Sequence, residues 1–272
     1  RSAQEQLLPR LVKTEDNQEY HIIKSEMSDH QFSIYEKIRK TEADRERANK
    51  RNFKKIDKEM YTVSSTYKIF SRAACNFAFP SSITRPQPPS TSKDLTEDDI
   101  NGLSIKERQN MDTFIAEDNI NEDKEEIVDY NKQIENTLEL LSQNNENGES
   151  EFLSTTKLQV YSPKFFKVLE NITDDLNKGC HLIYSQFRTI EGIGILRLVL
   201  LANGFAEFKI KKTNDGFDIV EDDNDIGKPK FVLYTGTESP EEKEIIRNIY
   251  NSNWELVPSN ITSKLNDKFK DN

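Results

Sequence analysis

Cys180-His181-Leu182-Ile183-Tyr184-Ser185-Gln186-Phe187-Arg188 is the stretch that decides how this chain is read. The apolar run Cys180 to Tyr184 predicts a buried strand, and the polar residues after it mark the strand's end. Glu191 to Asn203 follows as a strongly apolar helix, closed by Asn203-Gly204. Phe205 to Ile210 predicts a second strand, and Lys211 to Lys228 a polar excursion. Phe231 to Tyr234 predicts a third strand, ending in Thr235-Gly236-Thr237. The next helix start is the clearest local signal in the chain. Ser239 is its cap, Pro240 its first helical residue, and Glu242 stands three residues after the cap, as a capping box requires. Ile245, Ile246, Ile249 and Tyr250 supply its buried side. Apolar strands interleaved with helices in this order predict an α/β layer around a parallel sheet.

Working outward from this stretch, Ser162-Pro163 opens a helix whose apolar side is Phe165, Phe166, Val168, Leu169 and Ile172, with Gly179 ending the unit. Residues 94–151 hold eighteen Asp or Glu and only four Lys or Arg. This stretch reads as an acidic insertion, helical around Ile127–Leu141 and then a flexible loop through the low-complexity Ser142 to Glu149. Ser81 to Ser92 is rich in proline and reads as an extended connection, preceded by the short aromatic run Thr66 to Pro80. Tyr20 to Ile23 predicts a short strand. Ser28 or Asp29 then caps a helix carrying Ile34, Tyr35 and Ile38, which could reach about Met60. Between Lys37 and Lys58 there are ten Lys or Arg and four Asp or Glu. A local excess of that size predicts either a solvated helical face or a contact with nucleic acid or an acidic partner.

The chain has 272 residues, 34% of them hydrophobic and 32% charged, with a formal net charge of -10. Such a composition predicts one packed region beside a solvated one. An acidic chain is unlike a free-standing phosphate-gripping protein, so any nucleic-acid contact must come from a local patch or a further domain. Cys75 and Cys180 are far apart, with neither disulfide nor zinc spacing, and are expected to be ordinary buried or half-buried thiols. No signal peptide is visible, and the first residue is Arg1 rather than Met, which suggests a cut segment.

Complete active-site motifs are missing. No Gly-x-x-x-x-Gly-Lys-Ser/Thr loop is present. Gly192-Ile193-Gly194 lacks the third glycine of a dinucleotide fingerprint. His21, His30 and His181 form no cluster with other ligand types, and His181, set in an apolar run, is expected to be a core histidine. No nucleophile elbow or carboxylate pair is recognisable. The residues alone predict part of an α/β domain without catalytic machinery of its own.

Several segments resemble the superfamily 2 helicase-like ATPases of large cytoplasmic DNA viruses. Ser71-Arg72-Ala73-Ala74-Cys75-Asn76-Phe77-Ala78-Phe79-Pro80 with Arg85-Pro86 is similar to a segment of these proteins. Met27-Ser28-Asp29-His30-Gln31, with Tyr35 and Arg39, resembles the passage from the first motor lobe to the second. His181 to Phe187 looks like the strand that opens the second lobe, and Glu191-Gly192-Ile193 with Leu198–Gly204 like the helix after it. Phe231–Gly236 and Glu241–Tyr250 resemble the next strand and helix. The resemblance implies three parts. Residues 1–92 would be the end of the first lobe and a helical interlobe segment, 93–158 an acidic, partly disordered insertion, and 159–272 the first half of a RecA-like C-terminal helicase lobe. It implies a parent that hydrolyses ATP with magnesium while moving on DNA or RNA, in viral transcription or DNA processing. The parent would sit in a host-cytoplasm viral factory or the virion and work with the viral transcription machinery, with no membrane part. The P-loop, the acidic magnesium motif and the arginine-finger motif are not in this chain, so the segment itself is expected to bind no cofactor and to carry no catalytic residue.

The candidate nucleic-acid contacts are Ser185, Gln186 and Arg188, because a hydroxyl, an amide and a guanidinium at a strand's end can hold phosphate oxygens. Thr235 and Gly236 end the next apolar run and could donate to a phosphate. Arg72 is expected to pair inside the lobe junction. Two other readings compete: a partner-binding lobe derived from such a motor, with 94–151 as a docking arm, and a small α/β enzyme with an unrecognised site.

Overall fold

The computed structural model describes residues 22–53, 69–86, 124–213, 216–234 and 238–269. Helix α1 (Asp29–Phe53) begins where Ser28 caps it, the Ser28 hydroxyl accepting the Gln31 N–H at 3.0 Å. The short α2 (Ile69–Ala74) leads into the aromatic run Phe77–Phe79. Helices α3 (Lys124–Leu141), α4 (Thr155–Tyr161) and α5 (Pro163–Thr173) come next. Ser162 caps α5, its hydroxyl accepting the Phe165 N–H at 3.1 Å, with Pro163 at the first helical position. Helix α6 (Ile193–Ala202) precedes the four strands. They are β1 (Ala206–Glu207), β2 (Lys209–Thr213), β3 (Gly216–Val220) and β4 (Lys230–Phe231). Helices α7 (Pro240–Tyr250) and α8 (Ser259–Phe269) follow. The capping box at Ser239 is complete: its hydroxyl accepts the Glu242 N–H at 3.2 Å and the Glu242 carboxylate accepts the Ser239 N–H at 2.7 Å.

The main core lies where α3, α4, α5 and α6 meet the Phe77–Ile83 segment. Phe77, Leu141, Leu153, Leu158, Ile195 and Val199 are all buried to 1% exposure or less. This single core draws side chains from the aromatic run, from the acidic stretch and from the α/β stretch. A second, smaller core joins Phe217 of β3 to Ile245 of α7 and to Val257, Ile261 and Leu265 around α8. Asp218 ties β3 to α8 through Lys264, whose ammonium, together with the Ile219 N–H, holds the Asp218 carboxyl below its ordinary value.

The strands correct the sequence reading in three ways. First, β1 and β4 do pair in parallel, Ala206 opposite Lys230 and Glu207 opposite Phe231, but the pair is only two residues long. Second, the run expected as one strand over 205–210 breaks at Phe208. β2 turns away and pairs antiparallel with β3, so the polar excursion holds a hairpin. Third, Cys180–Tyr184 belongs to no ladder. Leu182 is 91% exposed and Tyr184 86% exposed, while only Ile183 leans on the core. The apolar pattern is there, but a parallel strand needs hydrogen-bonded neighbours, and β1 and β4 satisfy each other instead. His181 and Cys180 are therefore exposed rather than buried.

Two smaller expectations also change. Ile22 and Ile23 are exposed and in no strand, and Tyr20 and His21 lie outside the described residues. The stretch 142–150, expected as a flexible loop, forms an ordered turn. Asn144 bridges Ser150, and the Asn145 side-chain carbonyl accepts the N–H groups of Asn147 and Glu149 at 3.0 and 3.1 Å. An asparagine folding back on its own backbone in this way is common in turns. Gly148, at φ 79°, supplies the left-handed residue that the turn requires.

One substitution at two sites tests this partition between core and surface. Leu141→Ala is expected to cost about 2–5 kcal/mol, as for buried leucines generally. Leu182→Ala should stay within about 0.5 kcal/mol, as surface changes do. Chemical denaturation of both variants checks this, and an equal loss would mean that Cys180–Tyr184 is packed after all.

Candidate functional site

The turn from Ser185 to Gly194 joins the apolar run to α6, and it is built by close backbone approach. The Phe187 carbonyl accepts the Ile193 N–H at 3.0 Å, and the Arg188 carbonyl accepts the Gly194 N–H at 2.8 Å. A side chain at Gly192 would place its Cβ 1.9 Å from the Phe187 oxygen, and one at Gly194 would stand 2.3 Å from the Thr189 oxygen. Both glycines are thus required by packing of chain against chain. The two N–H groups that open α6 are already committed inside the turn, so they form no free cradle for a phosphate.

Glu191 is the strained residue of this turn. Its φ is 52°, a region that glycine or asparagine usually fills, and the residue is only 3% exposed. Its carboxylate meets Arg85 in a two-point pair, Nε to Oε1 and Nη2 to Oε2, the latter at 3.2 Å. Arg85 is held in turn by the Pro86 carbonyl, which accepts from Nη1 at 2.8 Å, and it lies 5.4 Å from the Phe70 ring centroid.

A second arginine from the same segment reaches the same turn. Arg72 donates to the Gln186 side-chain carbonyl and sits 6.0 Å from the Phe187 ring centroid. Arg72 is thus a structural residue that ties α2 to the turn. Ser185 turns inward, its hydroxyl accepting the Phe187 N–H at 3.2 Å. Ser185 and Arg188 are half-buried and Gln186 is exposed. The structure therefore brings Ser185, Gln186 and Arg188 onto one turn. Thr235 and Gly236 lie outside the described residues.

Arg85 and Glu191 stand in the sequence only as parts of longer similar segments, and nothing local marks them as a pair. They are 106 residues apart, and no local pattern marks a glutamate that must adopt a left-handed backbone. Among the described residues no group of three His, Cys, Asp or Glu could hold a metal ion. His30 is used structurally: its Nε2 is 3.0 Å from the Phe79 carbonyl, and its ring meets Tyr161 edge to face at 5.2 Å. No described helix is long and apolar enough to cross a membrane.

Removing Arg85 would leave a buried carboxylate without its counter-charge. Arg85→Ala is therefore expected to destabilise the protein by about 3–5 kcal/mol in denaturant unfolding. Arg85→Ala combined with Glu191→Gly removes the orphaned charge and the backbone strain together, and should recover part of that loss. If the single and double variants lose the same stability, the pair is not coupled.

With this geometry in view, comparison with known proteins adds one relative. A protein of Acanthamoeba polyphaga mimivirus, named as an ATP-dependent RNA helicase, is 25% identical over 267 residues, covering 86% of this chain. The chain spans about 30% of that relative's length. No protein-family model matches, and no solved structure does. The chain is thus a distant relative of a giant-virus protein carrying a helicase name, with a mixed helical and parallel-sheet fold.

Proposed function

We propose that this chain is part of an ATP-dependent helicase or nucleic-acid-dependent ATPase and forms the beginning of its second, RecA-like lobe. The observation that carries the reading is the similarity to the mimivirus protein, which runs through most of the chain rather than one short motif. The helix α6 and the short parallel pair β1–β4 support an α/β reading, while the run Cys180–Tyr184 stands outside any ladder. In this reading ATP and magnesium are bound by other parts of the longer protein, and the chain contributes fold and track contacts. The process served is viral transcription or DNA processing, in the host cytoplasm or the virion, with the viral transcription machinery as partner.

Within that motor, the 185–188 turn is the proposed track contact, with Ser185, Gln186 and Arg188 as its candidate side chains, Ser185 and Gln186 keeping the bonds that shape the turn, and with Thr235 and Gly236 adding to them. The two arginines of the 69–86 segment act behind the turn. They fix its shape, so that any side chain on it meets the track at a fixed position.

The decisive test compares this chain with a longer polypeptide that includes the flanking motor motifs. The longer protein is expected to hydrolyse ATP, faster with RNA or DNA present, and the 272-residue chain to hydrolyse none. A longer protein without hydrolysis, yet still holding a protein partner, would replace this reading with a non-catalytic, partner-binding lobe. In the longer protein, Arg188→Ala should weaken nucleic-acid binding similarly across sequences and lower the salt slope by about 1. An unchanged slope would remove Arg188 from the contact set.

A further inference from the structure

Helix α1 has two faces of opposite character. Gln31, Tyr35, Ile38 and Glu42 recur at helical spacing and face the body. Gln31 donates to the Ala74 carbonyl at 2.8 Å, and the Glu42 carboxylate accepts the Ser71 N–H at 3.1 Å. Lys37, Lys40, Asp44 and Arg47 recur at the same spacing on the opposite side, and all four are exposed. Beyond Glu42 the helix continues to Phe53, a further run of about 16 Å at the usual rise.

The charge of this rod departs from that of the whole chain. From Lys37 to Phe53 there are seven Lys or Arg and three Asp or Glu, a net of +4 in a chain of -10. Part of the acidic charge is spent within the helix: Glu42 pairs with Arg39 at 3.0 Å and Asp44 with Arg47 at 3.3 Å. The first pair is part-buried and the second exposed, and an exposed pair adds little stability, so holding the helix together does not account for the cations on its outer side.

Phe32, in the first turn of α1, is exposed, but among the described residues beyond it the outer face carries no apolar centre of the kind a protein partner would need. The described exposed positions after Phe32 are Ser33, Glu36, Lys37, Lys40, Thr41, Asp44 and Arg47, none of them apolar. Protein interfaces are built on an apolar or aromatic centre with charges at the rim. Contacts to a nucleic-acid backbone need only cations spaced along a rigid element. Lys37, Lys40 and Arg47 span about 15 Å along the helix axis, enough to follow several phosphates.

We propose that the outer face of α1, through Lys37, Lys40 and Arg47, is a sequence-independent binding surface for the phosphate backbone of a nucleic acid. It is separate from the 185–188 turn and rests on the reading of the parent as a nucleic-acid motor. The face approaches the track as a rod anchored at its N-terminal half, with α2 as its base.

The test uses the 272-residue chain itself with a fluorescent oligouridylate probe, reading anisotropy across a salt series. The chain is expected to bind at low salt. The triple variant Lys37→Gln, Lys40→Gln and Arg47→Gln should lower the slope of log affinity against log salt by about 2, at about 0.7 per lost contact. The control Lys132→Gln, Lys178→Gln and Lys211→Gln removes the same charge from exposed positions elsewhere and should change the slope by well under half as much. Circular dichroism and thermal melting verify that both triples stay folded. Equal losses in the two triples would reduce the effect to net charge and overturn the proposal, as would no binding of the probe. Polyglutamate competing as well as RNA at equal charge would point to an acidic protein instead, and would also overturn it. The outcome is independent of ATP hydrolysis by the longer protein, so either reading can fail while the other stands.

Discussion

The Ser162 hydroxyl, fully buried, is the point on which the packed body depends. It accepts the Phe165 N–H and so caps α5, and it donates to the Asn76 carbonyl of the aromatic segment. The Ser162 N–H goes to Leu158 of α4, and the neighbouring Tyr161 carbonyl accepts the Ala78 N–H, both at 2.8 Å. Lys164 adds a bond to the Asn76 side chain at 2.8 Å. A helix cap contributes about 1 kcal/mol, and an unmet buried carbonyl costs about 1–3 kcal/mol. This one side chain therefore fixes the α4–α5 corner and seats Phe77 and Phe79 in the core. Among the described residues no buried side-chain nitrogen or oxygen lacks a partner, so the core tolerates polar groups only where such closure is complete.

Features set by neighbours in sequence were legible in advance. Ser162-Pro163 and Ser239-Pro240 with Glu242 each fix a helix start through bonds spanning three residues, and both starts are where the sequence places them. The Ser28 cap of α1 is of the same kind. The sheet was harder to read because apolar alternation states that a segment could be buried, not which segment it pairs with. Cys180–Tyr184 and Phe231–Tyr234 are both apolar runs, yet of the two only Phe231 enters a ladder, and Val232–Tyr234 stand outside it. Asn145 shows the converse. A polar, low-complexity stretch folds into a defined turn because one side chain satisfies two backbone donors.

The candidate turn shows the same limit. The polar group Ser185, Gln186 and Arg188 could be picked out, since three hydrogen-bonding residues after an apolar run are visible in any reading. What shapes the turn could not, because Arg72 and Arg85 come from more than a hundred residues earlier. The glycines were visible, and the lack of a third glycine already spoke against a dinucleotide loop, but the chain crossing that requires them was not. The 1.9 Å and 2.3 Å approaches at Gly192 and Gly194 favour chain crossing.

These bonds also form a continuous path from one proposed nucleic-acid contact to the other. α1 is tied to α2 through Glu42 with Ser71 and Gln31 with Ala74. α2 is tied to the turn through Arg72 with Gln186, and the segment after it through Arg85 with Glu191. Moving the 69–86 segment against the turn would break the Arg85–Glu191 ion pair, whose carboxylate is buried on a residue of strained backbone. The rod and the turn are thus linked through α2 and the segment after it. Under the proposed function, a nucleic-acid backbone held at both places would meet two surfaces joined by this chain of bonds.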